Sequence, residues 1–444
     1  MRLNTAQSMP KIFSHEGAPA KRITPMQQLR RSVCSAFLWE KEFYEDGKSI
    51  ADRVVEASAA VPIEDLAALA VELRHDMKLR HMPLLLLSVL SRRGAGQTLV
   101  ADTIEQVISR PDELGELLAI HAALNGVGPD RLKKVIPAQM KKGLARAFEK
   151  FDAYQLGKYN RDGAIRLRDV MFLTHPKTAD AAKAEAWGRL VDGTLESPDT
   201  WEVALSGGAD KAETFTRLIT EGRLGYLALL RNLRNMVDAG VDEGLIRDAI
   251  LARKGAGNVL PFRFTAAARA CPRMEAPLDE ALCEVIHQMP RLEGRTIVMV
   301  DVSGSMTYPL SHKSDLTRMD AAATLGAVIH GDLRVFSFSQ DLVEVPARRG
   351  MAGVDAIIRS QSHRGTNLRE AVQKVNLMAH DRLIVITDEQ ANAAVPDPVV
   401  KRAYMINVAS AKNGVGYGAW THIDGFSENV LRFIHEAERL EGEG

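Results

Sequence analysis

The stretch Ile297-Val-Met-Val-Asp-Val-Ser-Gly-Ser-Met306 decides the fold of the C-terminal part of the chain. Its first four residues are apolar, as in a strand that is buried on both faces of a parallel sheet. The sequence then changes to Asp301-Val-Ser303-Gly-Ser305, which offers one carboxylate and two hydroxyls but neither nitrogen nor sulfur. Such hard oxygen ligands suit Mg²⁺, and Mn²⁺ as a second choice, and they disfavour zinc and copper.

Two later segments offer further oxygen ligands. The loop from His363 to Asn367 carries Thr366 and precedes a helical run from Leu368 to Met378, and the apolar strand beginning at Arg382 ends on Asp388. In an open α/β sheet, ligands bind at the carboxyl ends of strands near the topological switch point. The pattern therefore predicts one metal site, formed by Asp301, Ser303, Ser305, Thr366 and Asp388. The alternative is that Asp and Ser simply end a strand and cap a helix.

The chain from about Arg295 onward alternates strands with helices. We predict strands at 296–301, 333–338, 382–388 and 403–409, and helices at 319–330, 354–361, 368–379 and 427–440. This alternation predicts a parallel sheet covered on both faces. The division into domains is expected at Arg291–Gly294, with a helical domain at 1–290 and an α/β domain at 291–444.

The first 290 residues are predicted to be helical. Apolar residues recur at three- and four-residue spacing, as in Ile63, Leu66, Leu69, Ala70 and Leu73. The same spacing returns from Leu114 to His121 and from Leu227 to Val237, with glycine-containing breaks between the runs. Periodicity alone leaves two architectures open, an irregular α-solenoid and a compact helical bundle.

Length and composition bound the class of protein. A chain of 444 residues exceeds one usual domain, and its net charge of zero does not by itself indicate a nucleic-acid ligand. Cys34, Cys271 and Cys283 have neither disulfide-framework nor zinc-ligand spacing. The longest apolar stretch, Met82–Leu90, is too short to span a bilayer, and the N-terminus lacks the apolar core of a secretory signal. A cytoplasmic protein that does not enter the membrane is expected.

Basic charge is concentrated in one segment of the helical part. Between Arg131 and Leu190 there are fourteen Lys and Arg but six acids, a net charge of +8, whereas Arg291–Gly444 has seventeen bases and nineteen acids. Tyr154, Tyr159 and His175 lie within this basic segment. Cations attract phosphates and such rings stack on unpaired bases, so the segment is compatible with RNA, although a charged helical face is often just solvated.

The metal motif resembles the metal-ion-dependent adhesion site of von Willebrand factor A domains. The resemblance rests on Asp301-x-Ser303-x-Ser305, on Thr366 and on Asp388 in that order. It implies that the serines and the threonine coordinate the metal, that the aspartates act directly or through water, and that one coordination position accepts an acidic group from a partner.

The whole chain resembles the TROVE-module family of the Ro autoantigen and its bacterial relatives. The segments that carry this likeness are Phe37–Tyr44, Leu229–Met236, Lys158-Tyr159, Arg161 and Leu173–Lys177. The resemblance implies HEAT-like helical repeats closed into a ring, joined by a Rossmann-like von Willebrand A domain. It implies RNA contacts, which we assign to Lys158, Arg161, Arg166, Arg168, His175 and Lys177.

Two functions follow as hypotheses. In the first, the chain binds small structured noncoding RNAs of the Y type and single-stranded ends of defective RNAs, with an exoribonuclease as a further partner. In the second, an Mg²⁺-dependent adhesion-type module grips an acidic group of a protein partner, with the helical half as scaffold. We find no catalytic constellation, and we expect a monomeric, non-enzymatic protein that does not bind DNA. Gly414-Val-Gly-Tyr-Gly418 is predicted to be a flexible loop near the metal site.

Overall fold

The structure is a computed structural model of the 444-residue chain. It describes residues 12–14, 17–20, 23–34, 47–160, 163–256, 259–289, 291–310, 316–409, 413–425, 430–431, 434–435 and 438. The chain forms two compact units. Unit 1 takes in residues 1–53 and 225–444, and unit 2 consists of Val54–Leu224. Unit 1 is therefore discontinuous in sequence.

Helices dominate the chain up to residue 287. The helices that precede Leu224, the last residue of unit 2, are α1 (Pro25–Cys34), α2 (Gly47–Ala59), α3 (Ile63–His75), α4 (His81–Arg93), α5 (Thr98–Val107), α6 (Asp112–Leu124), α7 (Ala138–Glu149), α8 (Ala153–Tyr159), α9 (Leu167–Thr174), α10 (Ala181–Asp192), α11 (Trp201–Ser206) and α12 (Lys211–Thr220). They are followed by α13 (Tyr226–Arg231), α14 (Leu233–Asp238), α15 (Glu243–Ala252), α16 (Phe262–Ala270) and α17 (Glu275–His287). The predicted helical character of this part is confirmed.

Helix α3 shows why these segments are helical. Its apolar positions Leu66, Leu69, Ala70 and Leu73 form the buried stripe that the spacing predicts. Acidic residues occupy the first turn and basic residues the last turn, which is the arrangement that the helix dipole favours.

The predicted helix through Leu229–Met236 is divided in two. Helix α13 ends at Arg231 and α14 begins at Leu233, with Asn232 between them at φ −107° and ψ 9°. The Asn232 side chain is buried and donates through Nδ2 to the carbonyl oxygen of Ala228 at 2.9 Å. An asparagine that bonds to nearby backbone competes with helical hydrogen bonding. Leu227 of α13, which the periodicity predicts to be buried, is exposed.

A short antiparallel pair of strands precedes α1 and was not predicted. Strands β1 (Ile12–Phe13) and β2 (Pro19–Ala20) pair with each other, and each has only two residues. We call β1, β2 and α1 the N-terminal arm. Two-residue strands are too short to show a recognisable alternation of apolar and polar residues.

A six-stranded sheet forms the centre of unit 1. Its strands are β3 (Leu292–Asp301), β4 (Gly331–Phe338), β5 (Leu342–Val345), β6 (Arg382–Thr387), β7 (Arg402–Asn407) and β8 (Thr421–Asp424). The order is β5-β4-β3-β6-β7-β8, and β5 alone is antiparallel to its neighbour within this sheet. The chain builds outward from β3 in one direction and then from β6 in the other, so the topological switch point lies between β3 and β6.

Helices cover both faces of the sheet. Helix α20 (Leu368–Asn376) packs through Val372 and Val375 on the face that holds Ile297 and Met299. Helix α18 (Arg318–Val328) packs on the opposite face, near Val300. A further helix, α19 (Gly350–Ile358), packs against α18 and β4. The fold class predicted from sequence, helical followed by Rossmann-like α/β, is confirmed.

Some boundaries differ from the prediction. The edge strands β5 and β8 were missed, and the predicted helix at 319–330 begins at Arg318 and ends at Val328. Of the predicted helix at 427–440, the described residues 430–431, 434–435 and 438 are helical. Within the part of the chain that the structure describes, none of the helices has the length and apolar character that a membrane crossing requires.

Candidate metal centre and nucleic-acid interface

Asp301 and Asp388 lie at the carboxyl ends of two adjacent parallel strands. Val300 of β3 pairs with Ile386 of β6, so Asp301 is level with Thr387 and Asp388 follows directly. Both aspartates are fully buried. The sheet topology thus brings the two predicted carboxylates to the same edge, beside the switch point.

Hydrogen bonds fix the loop that follows β3. Asp301 Oδ1 accepts from the backbone N–H of Ser303 at 2.9 Å, and Asp301 Oδ2 accepts from the Thr387 hydroxyl at 2.6 Å. The hydroxyl oxygens of Ser303 and Ser305 are 3.3 Å apart. Thr387 was not among the predicted site residues. Its position one residue before Asp388 was the only sequence signal for its role in orienting Asp301.

The loop that carries Thr366 is tied to the same turn. The Gly304 N–H donates to the carbonyl oxygen of Arg364 at 2.8 Å, and His363 Nδ1 lies 2.9 Å from the carbonyl oxygen of Val302. Thr366 follows two residues after Arg364 and is half-buried. The structure therefore places the Thr366 loop beside the Asp301–Ser305 turn, as the motif predicts.

The electrostatics of this cluster favour a cation. Burial, and next the nearby carboxylate of Asp388, together raise the pKa of Asp301 to about 7. Two buried carboxylates at close range repel each other unless a proton or a cation lies between them. Among the described residues, no group of three or more His, Cys, Asp and Glu side chains could hold a metal. A metal here would therefore need the hydroxyl oxygens, and a donor set of carboxylates and hydroxyls fits Mg²⁺.

A buried ionic network that the sequence did not reveal lies next to Asp388. Glu389 is fully buried and forms ion pairs with Arg31 of α1 and with His422 Nε2 of β8, the latter at 2.6 Å. His422 Nδ1 lies 3.4 Å from Asp424 Oδ2, and Asp424 Oδ1 accepts from Asn407 Nδ2 at 2.8 Å. The network joins the N-terminal arm to the carboxyl ends of β6, β7 and β8.

Mutual attraction outweighs desolvation at Glu389 and at His422. Burial alone would raise the pKa of Glu389, but His422 and Arg31 lower it to about 2. Burial alone would lower the pKa of His422, but Glu389 and Asp424 raise it. Glu389 also has a left-handed backbone with φ of 59°, a conformation that a non-glycine residue adopts only when its surroundings hold it there.

The segment Gly414–Tyr417 closes over Glu389, whereas a flexible loop was predicted. These residues are buried, and Tyr417 stacks on His422 with ring centroids 3.9 Å apart. A Cβ added to Gly414 would lie 1.9 Å from Glu389 Oε2, so no other residue fits there without displacing the carboxylate. The glycines are required by close packing, a reason that the sequence pattern alone does not distinguish from flexibility.

Five of the six predicted RNA contacts lie within α8, α9 and their flanks. Lys158 is half-buried at the end of α8, while Arg166, Arg168, His175 and Lys177 are exposed. Arg161 lies outside the described residues, as does the segment Phe37–Tyr44 that carries part of the family resemblance. His175 ends α9 in the left-handed conformation, with φ of 50°.

An exposed stripe along α9 combines a cation with an aromatic ring. Arg168 and Phe172 are exposed and four residues apart, so they share one face of the helix, and the exposed His175 follows the last residue of α9. We call these three residues the α9 stripe. Phe172 is 59% exposed and was not among the predicted site residues, because it lies in the apolar run from Val170 to Leu173.

Several cations of the basic segment have no carboxylate partner. Arg146 pairs with Asp102, Arg189 pairs with Glu196, and the Lys183 ammonium donates to the carbonyl oxygen of Glu149 at 2.6 Å. Within the described ranges, no ion pair holds Lys133, Lys134, Lys141, Lys142, Lys158, Arg168 or Lys177. These charges are therefore available to an external anion.

Comparison with known proteins gives three likenesses. The TROVE domain matches residues 192–319 of the chain. Telomerase protein component 1 of Rattus norvegicus is 34% identical over 89 residues, and the same protein of Mus musculus matches equally. This match covers 19% of the chain, and the chain spans 3% of the length of those relatives. The crystal structure of the Deinococcus radiodurans RO (RSR) protein has a TM-score of 0.60 and 18% identity. The structural match covers 93% of this chain and 100% of the RO (RSR) chain, which shows a shared fold.

Proposed function

Since the TROVE domain matches residues 192–319 and the RO (RSR) protein shares the fold, we propose that the chain is an RNA-binding, non-enzymatic member of the family with a TROVE domain and that it binds small structured noncoding RNAs of the Y type. Single-stranded ends of defective RNAs are the second ligand of this proposal, and RNA quality control or a stress response is the biological role. Three free cysteines agree with the expected cytoplasmic location. The observation that carries the proposal is the α9 stripe within a segment of net charge +8.

The α9 stripe has the two kinds of group that unpaired RNA requires. Arg168 and the neighbouring Lys177 are exposed and can pair with phosphates, which provides salt-dependent affinity without sequence preference. Phe172 and His175 present rings on which splayed bases can stack. The exposure of Phe172 among cations leaves its ring accessible to a base whose phosphate the cations attract.

Replacing Phe172 with alanine is expected to weaken RNA binding by about 5- to 100-fold, because stacking of one base on an aromatic ring contributes about 1–3 kcal/mol. The measurement is an equilibrium titration of the full chain with a small structured RNA that has an unpaired loop. Folding stability should remain unchanged, since the ring is exposed.

Phe13→Ala is the matched control for this substitution. Phe13 is 47% exposed but belongs to β1 of unit 1, outside the basic segment. RNA affinity should be unaffected by this change. Equal losses in the two variants, or no loss in Phe172→Ala, would contradict the role of the α9 stripe.

We further propose that Mg²⁺, with Mn²⁺ as a substitute, binds at the carboxyl edge of the sheet. Asp301, Ser303, Ser305, Thr366 and Asp388 are the residues that would hold it. The metal would neutralise the two buried carboxylates and offer a coordination position to an oxygen ligand. The support is the donor chemistry of the cluster and the closeness of two buried carboxylates, since burial and then the charge of Asp388 raise the pKa of Asp301.

Added Mg²⁺ is expected to stabilise unit 1 by about 2.7 kcal/mol at a concentration 100 times the dissociation constant. Without metal, the raised pKa of Asp301 means that the folded state binds more protons than the unfolded state between about pH 4 and pH 7. Stability from this group therefore falls as pH rises through that range. Mg²⁺ displaces the proton, so the stabilisation by Mg²⁺ should grow from pH 5 to pH 7. Thermal unfolding with and without Mg²⁺ measures both effects.

Asp301→Asn tests the assignment of this carboxylate. The variant should lose the response to Mg²⁺, whereas Asp332→Asn, which changes an exposed aspartate at the amino-terminal end of β4, should retain it. If Mg²⁺ still stabilises the Asp301→Asn variant, the ion binds at a site that does not include Asp301. A response absent from the unaltered chain contradicts the metal proposal but leaves the RNA proposal standing.

One observation favours the second function as well. Both carboxylates of the candidate metal centre are fully buried, while Ser305 and Thr366 are only half-buried. The accessible side of the centre thus consists of hydroxyl donors, where an acidic group of a protein partner, such as an exoribonuclease, would complete the shell. Binding of such a partner should require Mg²⁺ and be lost with EDTA, whereas the RNA surface should keep most of its affinity. If the chain has no measurable affinity for RNA even at low salt, the RNA proposal is wrong and binding of a protein partner is the remaining function.

A further inference from the structure

A cleft lies at the amino-terminal ends of β3 and β4, the edge of the sheet opposite the candidate metal centre. Strand β3 runs from Leu292 to Asp301, and Leu292 is paired with Gly331, the first residue of β4. The cleft has a volume of about 480 Å³. That size falls in the range of about 300–1,000 Å³ that is usual for small-ligand sites.

The walls of this cleft are basic. Arg291, Arg348, Arg349 and His330 line it, and Asp332 is the acidic residue among the lining side chains. All three arginines are exposed to solvent. Over the described ranges, none of these arginines has an ion pair or a side-chain hydrogen bond. Three guanidinium groups without partners around one concave surface form a site with an excess of positive charge.

The imidazole of His330 lies close to these arginines, and their charge disfavours its protonation. Burial lowers the pKa of its imidazole, and the nearby Arg349, Arg291 and His287 lower it further. Its Nδ1 atom is buried and has no hydrogen-bond partner among the residues that the structure describes. Asp332 of the lining and Asp279, which accepts a hydrogen bond from the Met351 N–H at 2.7 Å, are two carboxylates against three arginines, so positive charge remains in excess.

The backbone holds two of the arginines in place. Arg348 N–H donates to the carbonyl oxygen of Pro346 at 2.8 Å, which turns the chain back toward α19. A Cβ on Gly353 would lie only 2.2 Å from the carbonyl oxygen of Arg348, so the turn packs directly on the helix. Arg348 and Arg349 are thus presented by a braced segment at the start of α19, which limits the conformational entropy lost on binding a ligand.

From this geometry we propose that the cleft is a phosphate-binding site, with Arg348, Arg349 and Arg291 as the groups that pair with the anion. Guanidinium groups form bidentate, charge-assisted hydrogen bonds with phosphate oxygens. The site is separate from the α9 stripe and from the candidate metal centre, and it requires neither. Its ligand is a phosphate group exposed at the end of a molecule, either the terminal phosphate of an RNA or a free nucleotide.

Calorimetric titration of the full chain with inorganic pyrophosphate, in the absence of divalent metal, tests the site. Arg348→Gln with Arg349→Gln should weaken binding by about 10- to 100-fold, as expected for lost hydrogen bonds to a charged group. Lys374→Gln with Lys401→Gln removes the same charge from exposed positions of the same unit and should leave affinity unchanged. The single variant Arg291→Gln provides a second test from a different segment of the chain. Absence of pyrophosphate binding, or equal losses in the two double variants, overturns the proposal.

Two RNA preparations distinguish the sources of the phosphate. An RNA with a 5′ triphosphate and the same RNA after dephosphorylation are titrated against the unaltered chain and against Arg348→Gln/Arg349→Gln. If the terminal phosphate strengthens binding only when the arginines are present, RNA is the source. If pyrophosphate binds but the terminal phosphate has no effect, a free nucleotide is the source. Because pyrophosphate binding is measured without RNA, failure of this proposal is separate from failure of the RNA proposal.

Discussion

Replacing Arg31 with methionine is expected to lower the free energy of unfolding of unit 1 by about 3–5 kcal/mol, because removal of one partner leaves the other charge buried. Arg31 and Glu389 both have side chains with no exposed surface, so solvent cannot replace the lost guanidinium. The arginine also donates through Nη2 to the carbonyl oxygen of Asn413 at 3.3 Å. Chemical denaturation of the full chain, with a probe in unit 1, measures the change.

The control for this substitution is Arg247→Met. Arg247 pairs with Asp248 on the exposed surface of α15 in the same unit, and exposed pairs contribute about 0–1 kcal/mol. A double variant with methionine at positions 31 and 389 should recover much of the stability, since it leaves no buried charge of this pair. A loss below about 1 kcal/mol in Arg31→Met would contradict the buried pair.

Acid should reveal the same interaction. The pKa of Glu389 is lowered to about 2, below the ordinary glutamate value of about 4.3. Its stabilising contribution is therefore complete above about pH 4.3 and is lost as pH falls toward 2. In Arg31→Met, this part of the acid dependence should become shallower.

Reversing the charge of Lys158, Arg168 and Lys177 to glutamate is expected to weaken RNA binding by on the order of 100-fold or more. These three side chains have no ion pair within the described ranges, so their charge is available to an external ligand. Each lost phosphate contact should also reduce the slope of log affinity against log salt by about 1. Titrations at several salt concentrations measure both quantities together.

The matched control reverses three exposed bases of unit 1, Arg369, Lys374 and Lys401, to glutamate. This variant has the same change in net charge and should retain most of the affinity. If the two triple variants lose affinity equally, the attraction comes from the charge of the whole chain. That outcome would remove the basic segment from the proposed RNA surface.

The central strands were predictable because burial determines their composition. The apolar runs Ile297–Val300 and Leu383–Ile386 are buried on both faces, and the aspartates that end these strands meet at one edge because the strands are parallel neighbours. The edge strands β5 and β8 have four residues each and include polar positions such as Glu344. Short, polar edge strands have a weak alternation signal, and they were therefore missed.

The features that sequence could not predict depend on contacts between distant residues or on the orientation of one short helix. Arg31 is an ordinary basic residue in α1, and its buried partner follows 358 residues later. Phe172 lies in an apolar run, and only the placement of α9 shows that it is exposed. The loop at Gly414–Tyr417 contains two glycines and a tyrosine, a composition that flexible and tightly packed loops share.

The pairing of Arg31 with Glu389 has a consequence for synthesis. At about 5–20 residues per second, the ribosome makes Glu389 roughly 20–70 s after Arg31, since 358 residues separate them. Unit 2 lies entirely between the two parts of unit 1, so all of its residues are available for folding during that interval. The N-terminal arm must wait for β6 to emerge, and closing so long a loop slows its docking. Of the described elements, the arm is thus the first to be made and among the last to reach its native contacts.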